Sequence, residues 1–505
     1  MIVTETAQGK LFPVIPSAFL AEILDEGLRL VGKHPKILRM IESDQDLKAL
    51  EKKKARLEEK AWRARQTPAF EGFKGMDDIR VEATTLKIGR PRMSPVTAFL
   101  FLLVSEHIQS IYGKAAVDRL LDSRTVEGFL LMRGLPMPGL RTIGDNVNAI
   151  SEGTRAYILK CQIAEIRGEG LDNFLELHGD STHVAANTAF PTDSFLIRKL
   201  LDRVWRDSRK LPRFGLPTFR RHWTETWLDD LKRLDFAISV TKKAKQRKKH
   251  YRRYLETAAK LLWHLAEEAM KLDGRVKANG LPPTLRRQLE TLWDGILQDL
   301  MDCCHLHARC QERMSGNGKR LGKSRVLSLA DRAAAWIQKG GREAVVGYKP
   351  QVARSRNGFV TALIVPEGNA ADSEMAVKLV DEAIAKTCVR PAAVSFDDGY
   401  PSVTNLAEFQ KRGIDLVSFS GAKGKKLVGE ALWEEDCMKL LRCQRSSVES
   451  TMFVLKHNHG FGQVRRRGID AVREELLAKV ILHNFGRIIE LRKRRDEKEA
   501  PSVAA

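Results

Sequence analysis

Four side chains near residue 450 carry the clearest chemical signal. Arg442, Arg445, Glu449 and Lys456 are spaced for one face of a helix. At about 100° per residue, with Arg445 at 0°, they fall near 60°, 0°, 40° and 20°. A carboxylate can hold a metal ion, and flanking cations can grip successive phosphates of a nucleic-acid strand. The same spacing also suits i,i+4 ion pairs on a solvated helix. Two more acids stand at predicted strand ends. Phe174–Asp180 alternates as a strand and stops on Asp180, and the strand Ala392–Phe396 runs into Asp397 and Asp398. Cutting a phosphodiester needs an activated water, a stabilised phosphorus and a stabilised leaving oxygen. Two divalent cations about 4 Å apart meet all three needs. One acid bridging both ions, with one further acid on each, is an economical design, and Asp180, Asp397 and Glu449 can supply it.

The elements that must position these acids follow from periodicity. After the Asp180 strand, residues 195–340 read as helical almost throughout. Residues 343–353 and 358–365 read as an antiparallel hairpin, followed by the helix 373–387, the strand 392–396, the helix 403–412, the strand 415–419 and a last long helix, 472–494. The expected fold is therefore α/β, a mixed sheet with flanking helices interrupted by a large all-helical insertion. Ligands of open α/β sheets gather at strand ends. Upstream, Gly89–Pro95 supplies a loop, a Ser94 cap and Pro95 at the first helical position. The short helices after it suit a helix-turn-helix-like module.

The chain has 505 residues, 43% of them hydrophobic, and a net charge of +22. That excess favours a polyanionic partner. Residues 201–260 hold 18 Lys/Arg against 7 Asp/Glu, a surplus of 11. Within them, Lys242, Lys243, Lys248, Lys249, Arg252 and Arg253 form a cationic run expected to meet DNA phosphates. Seven cysteines make no disulfide scaffold, and no apolar run reaches the length of a membrane span. A cytoplasmic, nucleoid-associated protein is expected. Cys303, His307 and Cys310 share a helix face, but without a second ligand pair they read as buried core rather than zinc ligands.

Several segments resemble bacterial insertion-sequence DDE transposases, most closely the ISNCY-type group. Gly179-Asp180-Ser181-Thr182, with Asn187 and Pro191-Thr192-Asp193-Ser194 after it, is similar to the first-aspartate region. Phe396-Asp397-Asp398-Gly399-Tyr400 resembles the Asp-x-Gly-Tyr/Phe segment. Arg445, Glu449 and Lys456 fit the R-x3-E-x6-K part of the signature Y-x2-R-x3-E-x6-K, with Arg442 where that signature has Tyr. Gly89–Arg92, His457–Gly460, Arg465–Gly468 and Leu482–Asn484 also look like these proteins. The resemblance implies an RNase H-like core and Mg²⁺ or Mn²⁺, two ions, on Asp180, Asp397 and Glu449, with Asp398 the alternative to Asp397. It also implies DNA ends with inverted repeats as substrate, target DNA as partner, and work as a homodimer or higher oligomer. The large insertion follows the first strand, a departure from better-known relatives.

The expected domains are a helical accessory arm (1–79), a helical DNA-binding domain (80–165), the catalytic core (170–195 and 341–490), the basic insertion (196–340) and a disordered tail (496–505). The expected function is metal-dependent DNA strand cleavage and strand transfer. A catalytically silent, sequence-specific DNA-binding protein derived from a transposase is the alternative. A third reading, an RNA-binding helical protein, would leave the three acids far apart.

Overall fold

The strand that carries Asp180 sits in the middle of a five-stranded sheet and runs one residue past it, to Ser181. The computed structural model describes residues 17–66, 93–107, 124–188, 192–315, 328, 331–338 and 344–499. Its strands are β1 (Glu176–Ser181), β2 (Val184–Ala185), β3 (Ala335–Ile337), β4 (Val345–Tyr348), β5 (Gln351–Ser355), β6 (Val360–Ile364), β7 (Ala393–Phe396) and β8 (Leu416–Phe419). The main sheet has the order β6-β5-β1-β7-β8, and β2-β4-β3 form a small second sheet. β1 runs antiparallel to β5 and parallel to β7, which runs parallel to β8. Gly179 has no side chain because the Phe396 ring lies against it; a Cβ there would overlap the ring. Phe396, Tyr400, Phe409 and Phe419 fill the core beside it.

Two expectations about strands need correcting. The run 343–353 is not one strand. It breaks at Lys349-Pro350 into β4 and β5, which belong to different sheets. Pro350 has no N–H to give a ladder, so the pairing stops there. Residues 195–340 are not helical to the end either, since β3 pairs with β4. A three-residue strand is too short to show a period.

The described residues form two compact units, one of 17–47, 93–107, 124–187, 333–338 and 344–499, the other of 48–66, 188, 192–315, 328 and 331–332. The helices are, in chain order, α1 (Ser17–Lys33), α2 (Lys36–Gln66), α3 (Pro95–His107), α4 (Arg124–Leu131), α5 (Leu140–Val147) and α6 (Glu152–Gly168). Then come α7 (Asp193–Ser208), α8 (Arg221–Val240), α9 (Ala244–Lys277) and α10 (Pro283–Ser315) of the second unit. The rest are α11 (Asp372–Thr387), α12 (Val403–Lys411), α13 (Gly421–Val428), α14 (Glu430–Trp433), α15 (Asp436–Arg445), α16 (Ser447–Asn458) and α17 (Ile469–Glu499). The stretch expected as a separate arm is thus divided, residues 17–47 lying in the first unit and 48–66 in the second.

α3 starts as expected. Ser94 Oγ accepts from the Thr97 N–H at 3.0 Å, with Pro95 at the first position. The helix is apolar all round, and Thr97–Glu106 is buried without interruption. Such a helix belongs to a core. It packs against α1, α5 and α17, so it has no face left to enter a groove. Residues 80–92 and 108–123 of the expected DNA-binding domain lie outside the described residues, as do Pro191 and 500–505 of the tail. In the second unit α7–α10 close around Leu200, Trp205, Tyr254, Leu265, Trp293 and Cys303. No helix among the described residues is long and apolar enough to cross a membrane.

Candidate active site

Gly179 of β1 pairs with Phe396 of β7 in parallel register. Asp180 and Asp397 each follow one place later, at the same end of neighbouring strands about 4.8 Å apart. Asp180 is 7% exposed, and its Oδ1 accepts from the Ser181 N–H at 2.7 Å. Asp397 Oδ1 accepts from the Gly399 N–H at 3.0 Å, an Asx-type turn that fixes the carboxylate. The Tyr400 phenol is raised well above its usual range, first by burial and then by the fields of Asp372, Asp180 and Asp397. It stays neutral and donates to Gln351 Oε1.

Asp398 has a different environment. Its Oδ1 accepts from the N–H groups of Lys423 at 3.0 Å and Gly424 at 3.3 Å. It therefore caps the first turn of α13, whose N-terminal N–H groups have no helical partner.

The stripe of residues 442–456 is split between two helices, which corrects the single helix expected. α15 ends at Arg445 and α16 begins at Ser447. Ser446 Oγ donates to the Cys443 carbonyl at 2.6 Å, and Ser447 Oγ donates to that of Gln444. Neighbouring serines that bond back to helix carbonyls in this way bend a helix. The i,i+4 relation survives the break. Arg445 Nη2 lies 3.2 Å from Glu449 Oε1, and its Nη1 lies 3.6 Å from Asp180 Oδ2. One guanidinium thus ties the helix acid to the strand acid. The Arg445 side chain is 14% exposed and that of Glu449 is 70% exposed. Among the described residues, no three His, Cys, Asp or Glu side chains form a group able to hold a metal ion.

Arg442 packs its guanidinium 3.9 Å from the centre of the Trp433 ring and donates to the Trp433 carbonyl at 2.8 Å. Lys456 lines a cavity of ≈ 590 Å³ with Asn187, Gly462 and Arg465. The loop around it is held from below. Lys479 Nζ donates to the Gly460 carbonyl at 2.9 Å, and Glu475 accepts from the N–H groups of Arg465 and Arg466. Glu475 and Lys479 pair at 2.7 Å with no exposure at all.

Sequence reasoning missed Asp372. Its Oδ1 meets Lys349 Nζ and Gln351 Nε2, both at 2.9 Å. Its other oxygen stands with Asp397 Oδ1 against Gly399, where a Cβ would come within 3.0 and 3.1 Å of them. An acid in the first turn of a helix is ordinary dipole chemistry, which concealed it. In the second unit, Lys242, Lys243, Lys248, Lys249, Arg252 and Arg253 are all exposed. Cys310 accepts from the Tyr251 hydroxyl at 3.2 Å, and His307 donates to the Leu255 carbonyl at 2.8 Å. That is core chemistry.

Neither the curated proteins nor the solved structures include a match to this chain. Residues 313–485, which hold Asp397, Arg445, Glu449 and Lys456 while Asp180 lies upstream, match the family model described as the transposase DDE domain, and that match supports a DDE-type transposase.

Proposed function

We propose that the protein binds the terminal repeats of an insertion sequence and catalyses metal-dependent DNA strand cleavage and strand transfer. The observation that carries this reading is the meeting of Asp180 and Asp397 at adjacent strand ends, with Glu449 linked to Asp180 through Arg445. The five-stranded order, with its first acid on the central strand, supports an RNase H-like core.

The donor set fits the implied ions. Carboxylate oxygens are the ligands Mg²⁺ and Mn²⁺ favour, and a cationic group already lies between two of them. Asp180 would be shared by two ions, with Asp397 and Glu449 each holding one. Bound there, divalent ions supply an activated water and neutralise charge building on phosphorus. The chain's own groups do the rest. Arg445 and Lys456 hold phosphate oxygens beside the cut, with Arg442 one turn away. Tyr400 and Gln351 brace the floor under Asp397, and the Lys242–Arg253 run grips flanking DNA by charge. The protein is expected to act as a homodimer or higher oligomer on its DNA.

The test uses duplex DNA carrying the sequence that flanks the coding region. Asp180→Ala, Asp397→Ala and Glu449→Ala are each expected to reduce Mg²⁺-dependent cutting to background while DNA affinity stays within a few-fold. Wild-type cutting by a folded Glu449→Ala protein would remove the assignment. The absence of a ready three-acid group among the described residues favours a second reading, a catalytically silent DNA-binding protein. It requires that the wild type bind the same DNA without ever cutting it.

A further inference from the structure

The Arg445 guanidinium lies between one oxygen of Asp180 and one of Glu449, the two acids that the metal-dependent reading assigns to one ion. Its Nη1 is 3.6 Å from Asp180 Oδ2 and its Nη2 is 3.2 Å from Glu449 Oε1. A divalent ion held by both acids would draw on the same carboxylate oxygens. A guanidinium is planar, permanently charged and too large to share that gap with an ion of the same sign. Its side chain is mostly buried, while Glu449 is mostly exposed and rides a helix that starts at the serine break.

We propose that Arg445 is an internal counter-ion of the acidic site. It occupies the place of the ion shared by Asp180 and Glu449, and it must be displaced before that ion binds. Displacement frees the guanidinium for a phosphate oxygen of the DNA. The inference rests on the metal-dependent reading above, and it reverses the simplest expectation for a residue of the site. Removing Arg445 improves metal binding even as it harms the handling of DNA.

The experiment measures Mn²⁺ binding to the full chain without DNA, by paramagnetic resonance of the free ion and by calorimetry. Arg445→Gln is expected to bind Mn²⁺ about tenfold more tightly than the wild type. Arg445→Lys keeps a charge that cannot bridge both acids. It is expected to gain about threefold, and it carries the test if Arg445→Gln does not fold. Lys439→Gln removes the same charge from a half-exposed site on α15 and is expected to leave affinity unchanged. An equal gain there would reduce the effect to net charge and overturn the proposal. Unchanged or weaker binding in both Arg445 variants, with Asp180→Asn failing to bind, would overturn the proposal and leave the metal reading standing. Wild-type Mn²⁺ affinity in Asp180→Asn would remove the metal reading and the proposal together.

Discussion

Asp397 and Asp398 are adjacent in the chain, yet only one of them leaves its carboxylate at the strand end beside Asp180. Asp398 accepts two N–H groups at the start of α13. Asp398→Ala is therefore expected to cost about 1 kcal/mol in urea unfolding, the usual value of a missing cap, with cutting retained. Asp397→Ala is expected to abolish cutting at little cost in stability. The reverse pattern would exchange their roles. The i,i+4 pairing of Arg445 and Glu449 was legible because it is a local pattern. The setting of Arg442 was not, because Trp433 reaches it from the preceding helix across a bend. Asp372 escaped notice for a similar reason, since only the fold brings it to Asp397.

At the level of elements, β6 to β8 and the helices between them were readable from alternation and apolar spacing. The break at Pro350 was visible as a residue, but its result was not. Which sheet a strand joins depends on partners far away in the chain. Packing at Gly179 gives one expectation. Gly179→Ala drives a methyl into the Phe396 ring and is expected to lose about 2 kcal/mol, the cost of overpacking, measured by urea unfolding. His483 gives another. Buried on α17, it donates to the Gly358 carbonyl at 3.1 Å. Its pKa is lowered to about 4, first by burial and then by the charges of Arg487 and Arg354, against the opposing bond to Gly358. In the unfolded chain it titrates near 6.5. Its contribution is thus complete above pH 6.5 and is lost as pH falls towards 4, where the unfolded chain takes a proton that the folded one refuses. His483→Gln is expected to shrink the stability difference between pH 7 and pH 4.5 by roughly 2 kcal/mol.

On the scale of the molecule, composition pointed to the cationic surplus of residues 201–260, and its run at 242–253 is exposed. Replacing Lys248, Lys249, Arg252 and Arg253 with Gln is expected to flatten the salt dependence of DNA binding by ~0.9 for each phosphate that the variant no longer neutralises. A filter-binding series across salt concentrations reads it, and an unchanged slope would take the run out of the interface. The grouping of 48–66 with 192–315 was not legible, because no local pattern records which distant segments pack together. The central position of β1 has a consequence for biogenesis. About 170 residues separate Ser181 from Gln351, the start of the first strand that pairs with it, and such distant pairing is slow to form. On the ribosome, β1 must wait while the whole helical insertion emerges and folds through nearby contacts. The two aspartates cannot stand side by side until β7 has been translated, and Glu449 arrives later still. A polypeptide truncated before β7 therefore lacks the pairing that sets Asp180 level with Asp397.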